Sequence, residues 1–173
     1  VGAGGIGRAM IPRLHAFGVE VVAVNRSGRP VDGAKVTLPS SRTAEVWSMA
    51  DHFVIAAPAT EDTDRLVDAA VLEAMPDTAW LVNVARGNLV DTDALVDAMR
   101  AEKFAGAVLD VTEPEPLPDG HPLWDLDNVV ITPHIANTRS GLTAAFAPTL
   151  RENVRRFIAG EELLARVEPS AGY

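Results

Sequence analysis

The chain has 173 residues and 47 % hydrophobic content, which suits one domain with a sizeable core and excludes a disordered chain. Its formal net charge of −9 argues against a nucleic-acid partner, because binding a phosphate backbone normally needs a cationic face. The lack of cysteine excludes disulfides and thiolate metal sites, and no apolar run approaches the roughly 20 residues of a membrane-spanning helix, so we expect a cytoplasmic protein without a metal or a membrane partner.

The chain opens on a glycine-rich stretch, VGAGGIG, in which Gly2, Gly4 and Gly7 form a GxGxxG pattern. In a dinucleotide-binding unit the first glycine allows a tight turn, the second admits a pyrophosphate, and the third lets helix and strand pack closely. An ordinary tight turn gives the same pattern, so its meaning depends on the elements that the next residues form.

A helix and a strand are predicted directly after these glycines. Four apolar side chains recur at helical spacing, and Gly18 predicts the end of that helix; they are Ile6, Met10, Leu14 and Phe17. The valine-rich run at 20–24 predicts a strand. Together these elements make most of a βαβ unit, whose preceding strand is represented only by Val1.

The rest of the chain alternates between strand and helix patterns. Strands are predicted at 35–38, 52–57, 78–84, 105–109 and 128–132, the second of them buried on both faces, and helices at 43–50, at 67–75, from Asp91 or Thr92, and from about Ser140 to Gly160. The proline-rich stretch 112–122 predicts an ordered loop or a tether. This alternation predicts an α/β fold with a doubly wound parallel sheet.

One domain followed by a C-terminal helix and tail is expected. Residues 1–139 would form the sheet domain with a truncated first strand, and residues 140–173 a C-terminal helix and tail. That helix carries a long apolar stripe, formed by Leu142, Phe146, Leu150, Val154, Phe157 and Ile158. We therefore expect it to pack partly on something absent from this sequence.

Four charged or titratable residues fall at or just after strand ends: Arg86, Asp110, Glu115 and His134. In open parallel sheets, ligands bind beyond the carboxyl ends of the strands. Each residue alone also has a plain structural explanation as a loop or solvent-exposed side chain. His121 stays a weak rival for a histidine role, whereas His15 and His52 lie in a helix and at the wrong end of a strand.

As a group, these residues suit hydride transfer to a ketone. The developing alkoxide needs a proton, which a histidine such as His134 donates readily near neutral pH. A neighbouring carboxylate, Glu115, would orient the ring and favour its protonated form. Arg86 can grip a substrate carboxylate with two parallel hydrogen bonds, and Asp110 could hold the carboxamide or the charged ring of a nicotinamide.

These stretches resemble the cofactor domain of the D-isomer-specific 2-hydroxyacid dehydrogenases over essentially the whole chain. The matching motifs are GAGGIG at 2–7, PATEDT at 58–63, NVARGNLVD at 83–91, GAVLDVTEPEPLP at 106–118, HPLWDLDNV at 121–129 and TPHIANT at 132–138. The resemblance implies a Rossmann-type fold and a reductase of small 2-oxoacids such as glyoxylate or hydroxypyruvate. The closing VEPSAGY is similar to the family's C-terminal end, so we expect a natural terminus there.

The resemblance also implies roles for individual residues. Arg86 would bind the substrate carboxylate, and His134 would be the acid/base paired with Glu115, which the EPLP signature favours over Glu113. The cofactor contacts implied are Gly2, Gly4, Gly5, Ile6, Gly7, Asn25, Arg26, Ser27, Arg29, Ala57, Pro58, Thr63, Val84, Ala85 and Asp110.

The sequence departs from the commonest family pattern at the end of the strand predicted at 20–24, which is the second strand of the βαβ unit. NAD-preferring members carry an acid there, whereas this chain has Asn25 followed by Arg26, Ser27 and Arg29. A carboxylate would repel a 2′-phosphate, and two guanidiniums attract one. We therefore expect NADP(H), with NAD(H) as the alternative if these arginines are only solvated turn residues.

The second departure is the absence of the family's substrate domain. We expect these residues alone to bind a dinucleotide and to turn over little, and the complete protein to be a homodimer through the cofactor domain. The competing hypothesis is a non-catalytic, dinucleotide-sensing interaction protein similar to a corepressor.

Overall fold

The computed structural model describes residues 1–167, with Arg139 described through its backbone alone. The chain divides into two compact units, of which the first is Val1–Pro133 and the second begins at His134. Residues 168–173, which hold most of the C-terminal motif, lie outside the described residues. Among the described residues no helix is both long and apolar enough to cross a bilayer.

The first unit is built on parallel strands. Strands β1 to β6 are, in order, Val22–Asn25, Val36–Pro39, His52–Ile55, Trp80–Asn83, Gly106–Leu109 and Val129–Ile131. β1 pairs with β2, while β3, β4, β5 and β6 pair in that order in a second sheet, and every pairing is parallel. The predicted α/β class with parallel strands is confirmed.

Helical segments connect the strands. The α-helices α1 to α4 are Gly5–Ala16, Ala69–Ala74, Thr92–Arg100 and Arg139–Ala159, and 3-10 helices span Ser40–Ser48, Glu61–Thr63, Gly87–Leu89 and Pro122–Asp125. Of the two predicted caps for α3, Asp91 is the one used, because its side chain accepts from Ala94 N–H at 3.1 Å. The helix predicted at 43–50 is a 3-10 helix instead. Thr43 Oγ1 donates to Ser40 O at 2.6 Å, a local bond that competes with α-helical pairing.

The main core lies on one face of the four-stranded sheet. Phe53, Ile55 and Leu81 cluster there with buried side chains of α2, α3 and the 3-10 helix at 40–48. The opposite face carries a row of register-paired valines, one from each strand: Val54, Val82, Val108 and Val130. The first three are half-buried and Val130 is 49 % exposed. The strand predicted at 52–57 was expected to be buried on both faces. It is fully buried on the face of Phe53 and Ile55 and half-buried on the face of Val54.

Helix α1 packs differently from its predicted face. Ile11 is its buried residue and clusters with Ala23 and Val31. Ile6 and Phe17, from the predicted stripe, are 57 % and 86 % exposed. Met10 and Leu14, from the same stripe, are half-buried. The helix was therefore predicted correctly and its buried face only in part, because the buried contact is made by Ile11, the residue after Met10.

The first residues lie between β1 and β3 and bond to both. The nitrogen of Val1 donates to Val54 O at 2.6 Å, and Val1 O accepts from Ala56 N–H at 2.8 Å. On the other side, Gly2 N–H and Ala3 N–H both donate to Val24 O, at 3.0 and 2.8 Å. The glycine turn is thus fixed beside the carboxyl ends of two strands.

The second unit contains α4, which begins after the Thr138 cap and ends at Gly160 in left-handed conformation, with φ of 68°. Its six predicted stripe residues are each at least 49 % exposed. The tail folds back on the helix, where Asn153 accepts from Leu164 N–H at 2.7 Å and donates to Leu164 O at 3.1 Å.

Candidate active site

The glycines of the first turn differ in how closely other atoms approach them. Gly2 has φ of 89°, and a Cβ on it would lie 2.3 Å from Ala57 N. A Cβ on Gly7 would lie 3.0 Å from Gly2 O, whereas Cβ atoms on Gly4 and Gly5 would meet no heavy atom of the described residues within 4 Å. Gly2 and Gly7 therefore serve the turn, and the Gly4 side is open to a ligand.

The N-terminus of α1 begins at this open side. The first α-helical bond runs from Arg8 N–H to Gly4 O at 2.9 Å, so the N–H groups of Gly5, Ile6 and Gly7 precede the helical ladder. Gly4 supplies no side-chain cap. Because such a helix end favours anions, the turn fits the pyrophosphate of a dinucleotide.

The turn after β1 is organised by the Asn25 side chain. Its Oδ1 accepts from Ser27 N–H at 3.1 Å, and its Nδ2 donates to Arg29 O at 2.8 Å. Ser27 Oγ then accepts from Arg29 Nε at 3.0 Å. The amide of Asn25 thus shapes the turn, and the exposed Arg26 and Arg29 lie at the end of β1.

The loop after β3 closes on its own hydroxyls. Thr63 Oγ1 donates to Pro58 O at 2.7 Å and accepts from Thr60 N–H at 2.8 Å. Thr63 therefore holds the loop that Ala57 and Pro58 begin, so its role in the structure is to shape that loop. The loop is also tied to the next one, because Asn88 Nδ2 donates to Asp64 Oδ1 at 2.8 Å.

Arg86 follows β4 and is exposed. Its Nη1 donates to Ala85 O at 2.6 Å. Buried Asn83, the last residue of β4, accepts from Ala85 N–H at 3.0 Å and donates to Arg86 O at 2.8 Å. The backbone at Val84 joins β3, since Val84 N–H donates to Ile55 O at 3.2 Å.

The loops that carry Arg86 and Glu115 touch through their backbones. A Cβ on Gly87 would lie 2.0 Å from Thr112 O. Thr92 Oγ1 donates to Glu113 O at 2.8 Å, and Thr112 Oγ1 donates to Pro114 O at 2.9 Å. Of the two predicted alternatives for residues 112–122, the ordered loop is therefore the one observed.

Asp110 ends β5 and is buried, with 5 % of its surface exposed. Its N–H donates to Asn83 O at 3.0 Å, and its Oδ1 accepts from Thr132 Oγ1 at 2.5 Å. The structure therefore links Asp110 to the Arg86 loop through Asn83 and to the end of β6 through Thr132.

Of the catalytic candidates, the first unit brings the segments of Arg86 and Glu115 together. His134 opens the second unit, is exposed, and has left-handed backbone with φ of 53°; its pairing with Glu115 stays a prediction. The rival His121 is a cap, because its Nδ1 accepts from Leu123 N–H at 3.2 Å.

Sequence reasoning missed Asn83 and Gly87. Both belong to the NVARG stretch, but neither has a titratable side chain, and their importance comes from contacts with other segments. A buried amide at a strand end, next to a site residue, is the signal that could have identified Asn83.

Parallel strands with a glycine turn and helix N-terminus at their carboxyl edge define a dinucleotide-binding domain. Residues 1–136 match the family model described as D-isomer specific 2-hydroxyacid dehydrogenase, NAD binding domain. The chain therefore belongs to this family and contains its Rossmann-type NAD binding domain.

Similar proteins extend this result. The chain is 49 % identical over its full length to an uncharacterised protein of Corynebacterium melassecola, covering 57 % of it, and 37 % identical over 90 % of its length to the human glyoxylate reductase/hydroxypyruvate reductase, covering 49 %. A D-isomer specific 2-hydroxyacid dehydrogenase from Xanthobacter autotrophicus Py2, solved with NADPH and MES, is 37 % identical with a TM-score of 0.92, covering 99 % of this chain and 70 % of that one. The chain spans about half the length of the curated relatives it matches.

Proposed function

We propose that the complete protein transfers a hydride between a nicotinamide cofactor and a small 2-oxoacid, reversibly with the D-2-hydroxyacid. The observation that carries this proposal is the pair of loops joined at Gly87 and Thr112, which brings the segments of Arg86 and Glu115 to one edge of the sheet. Family membership and the likeness to the human glyoxylate reductase/hydroxypyruvate reductase support the reaction class.

Each of the three site residues has one task in this proposal. Arg86 binds the substrate carboxylate; its guanidinium has five N–H donors in a fork that suits two parallel hydrogen bonds. His134 holds the proton that the developing alkoxide takes up, and Glu115 orients its ring. When bound, the reduced nicotinamide supplies the hydride.

The cofactor proposed is NADP(H) in preference to NAD(H). Residues 25–29 contain no carboxylate, and the turn places Arg26 and Arg29 at the end of β1. Guanidiniums form strong charge-assisted hydrogen bonds to phosphate. The Xanthobacter relative was solved with NADPH and a Lactobacillus delbrueckii relative with NAD, so the proposed preference rests on residues 25–29 of this chain.

We further propose that residues 1–173 alone bind the dinucleotide but turn over little, because the curated relatives are about twice as long. The complete protein is proposed to act as a homodimer through this domain. The exposed stripe of α4 would pack on the remaining part of the chain.

The test supplies the complete protein with NADPH or NADH and a panel of 2-oxoacids, and measures oxidation of the cofactor by its absorbance. H134A is expected to abolish turnover while NADPH still binds, and R86A to raise KM for the 2-oxoacid. Turnover that survives in H134A would contradict the assigned acid/base. Tight dinucleotide binding without turnover of any 2-oxoacid would instead favour a dinucleotide sensor.

A further inference from the structure

Asn83 is a buried polar residue whose side chain serves the loop that comes after it. Only 1 % of its surface is exposed. Its Oδ1 accepts from Ala85 N–H at 3.0 Å, and its Nδ2 donates to Arg86 O at 2.8 Å. One side chain therefore holds the Val84–Ala85 and Arg86–Gly87 peptide groups, which flank the Ala85–Arg86 peptide.

These bonds reach the guanidinium as well as the backbone. Arg86 Nη1 donates to Ala85 O at 2.6 Å, and Ala85 is the residue whose N–H Asn83 holds. The orientation of the guanidinium thus depends on a residue that Asn83 places. Gly87, on the other side of Arg86, is held by its close approach to Thr112.

Asn83 also connects this loop to the neighbouring strand. Its backbone oxygen accepts from Asp110 N–H at 3.0 Å, and Asn83 is register-paired with Leu109. Asn83 therefore holds the backbone of the Arg86 loop and also joins that loop to the end of β5.

We propose that Asn83 is a positioning residue that sets the orientation of Arg86 toward the carboxylate of the 2-oxoacid. This inference rests on the proposed function, in which Arg86 binds that carboxylate. In this proposal Asn83 does not touch the substrate and acts through the Val84–Ala85 and Arg86–Gly87 peptide groups that it holds. Small displacements of a substrate-binding group lower reactivity strongly, so the effect on the 2-oxoacid should exceed the effect on the dinucleotide, whose implied contacts include Ala85.

The variant N83L keeps the number and branching of the side-chain heavy atoms and removes both side-chain hydrogen bonds. The matched control is N128L, since Asn128 is a half-buried asparagine that precedes β6. Both are measured in the complete protein, alone and combined with R86A, with thermal unfolding checked for each. Should N83L fail to fold, N83S serves in its place because its shorter side chain cannot reach Arg86 O.

We expect N83L to raise KM for the 2-oxoacid about tenfold, the effect of losing a hydrogen bond in such a site, and to raise the Kd of NADPH clearly less. The control N128L should have the KM and Kd of the wild type. In the R86A background, N83L should change KM little, because the residue it positions is already gone. An equal rise of KM in both backgrounds, an unchanged KM, or an equal rise in the NADPH Kd would overturn the inference while wild-type turnover upholds the proposed function. Absence of wild-type turnover would overturn both.

Discussion

A Cβ on Gly87 would lie 2.0 Å from the carbonyl oxygen of Thr112. The backbones after β4 and β5 therefore meet at a position where only glycine fits. This contact lies between the segment of Arg86 and the segment of Glu115. The two proposed catalytic loops are therefore fixed to each other directly and not only through the strands that precede them.

The substitution G87A should destabilise the first unit. The overlapping atoms are backbone, so the loops must separate, and overpacking of this kind costs about 2 kcal/mol or more. Thermal unfolding measures the loss. G5A is the matched control, because a Cβ there meets no described atom within 4 Å. An unchanged Tm in G87A would show that the loops are apart in solution.

The substitution G4A should leave the stability unchanged and weaken dinucleotide binding. A Cβ at Gly4 meets no heavy atom of the described residues within 4 Å, so the fold keeps its stability. The new methyl group would occupy the side where we place the pyrophosphate, and the Kd of NADPH should rise about tenfold or more, as expected for lost anion contacts. Fluorescence titration measures the Kd; unchanged binding would place the dinucleotide elsewhere.

The preference for NADPH should depend on the arginines after β1. R29A and R26A should each weaken NADPH binding about tenfold through loss of a charge-assisted hydrogen bond, with little effect on NADH. R100A, on exposed α3 surface, controls for the change in net charge. A wild-type protein that binds NADH tenfold tighter than NADPH would refute the preference.

The C-terminal part of α4 should show a pH-dependent contribution to stability. Hydrogen bonds from Arg155 and Arg156 lower the pKa of Glu152 from its ordinary 4.5 to about 2. Because the folded pKa lies below the unfolded value, this contribution is present above about pH 4.5 and is lost as the pH falls toward 2; since the group is solvent-exposed, it is small.

The comparison of E152Q with the wild type measures this contribution. E152Q should have the lower Tm at neutral pH, and the two curves should converge on acidification. A constant difference across that range would mean that Glu152 acts through packing and not through its charge.

Much of the fold could be predicted because its signals are local. The glycine spacing, the valine-rich runs and the Asp91 cap each act within a few residues, and the corresponding turn, strands and helix are present. The buried face of α1 was predicted only in part because four apolar side chains at helical spacing do not specify which neighbour the helix meets. That is decided by Ala23 and Val31, which come later in the chain.

The places of Arg86 and Asp110 after strand ends were predictable from the sequence, and the structure has both at the carboxyl edge of the sheet, where parallel sheets bind ligands. Their roles stay predictions, and the residues that hold them were not predicted. The roles of Asn83, Gly87 and Thr132 come from contacts across segments distant in sequence, which no local pattern encodes. Similarly, Asn25 has the predicted place but shapes the turn with both ends of its amide.

The turn after β1 is held by hydrogen bonds among its own residues, which join Asn25, Ser27 and Arg29 to one another. It contributes little to the buried core. Substitutions there are therefore expected to leave the fold intact. If Arg26 and Arg29 select the dinucleotide as proposed, a lineage could exchange one dinucleotide for the other by changing a few neighbouring codons, and this segment is the unit to graft when the coenzyme of a related dehydrogenase is to be changed.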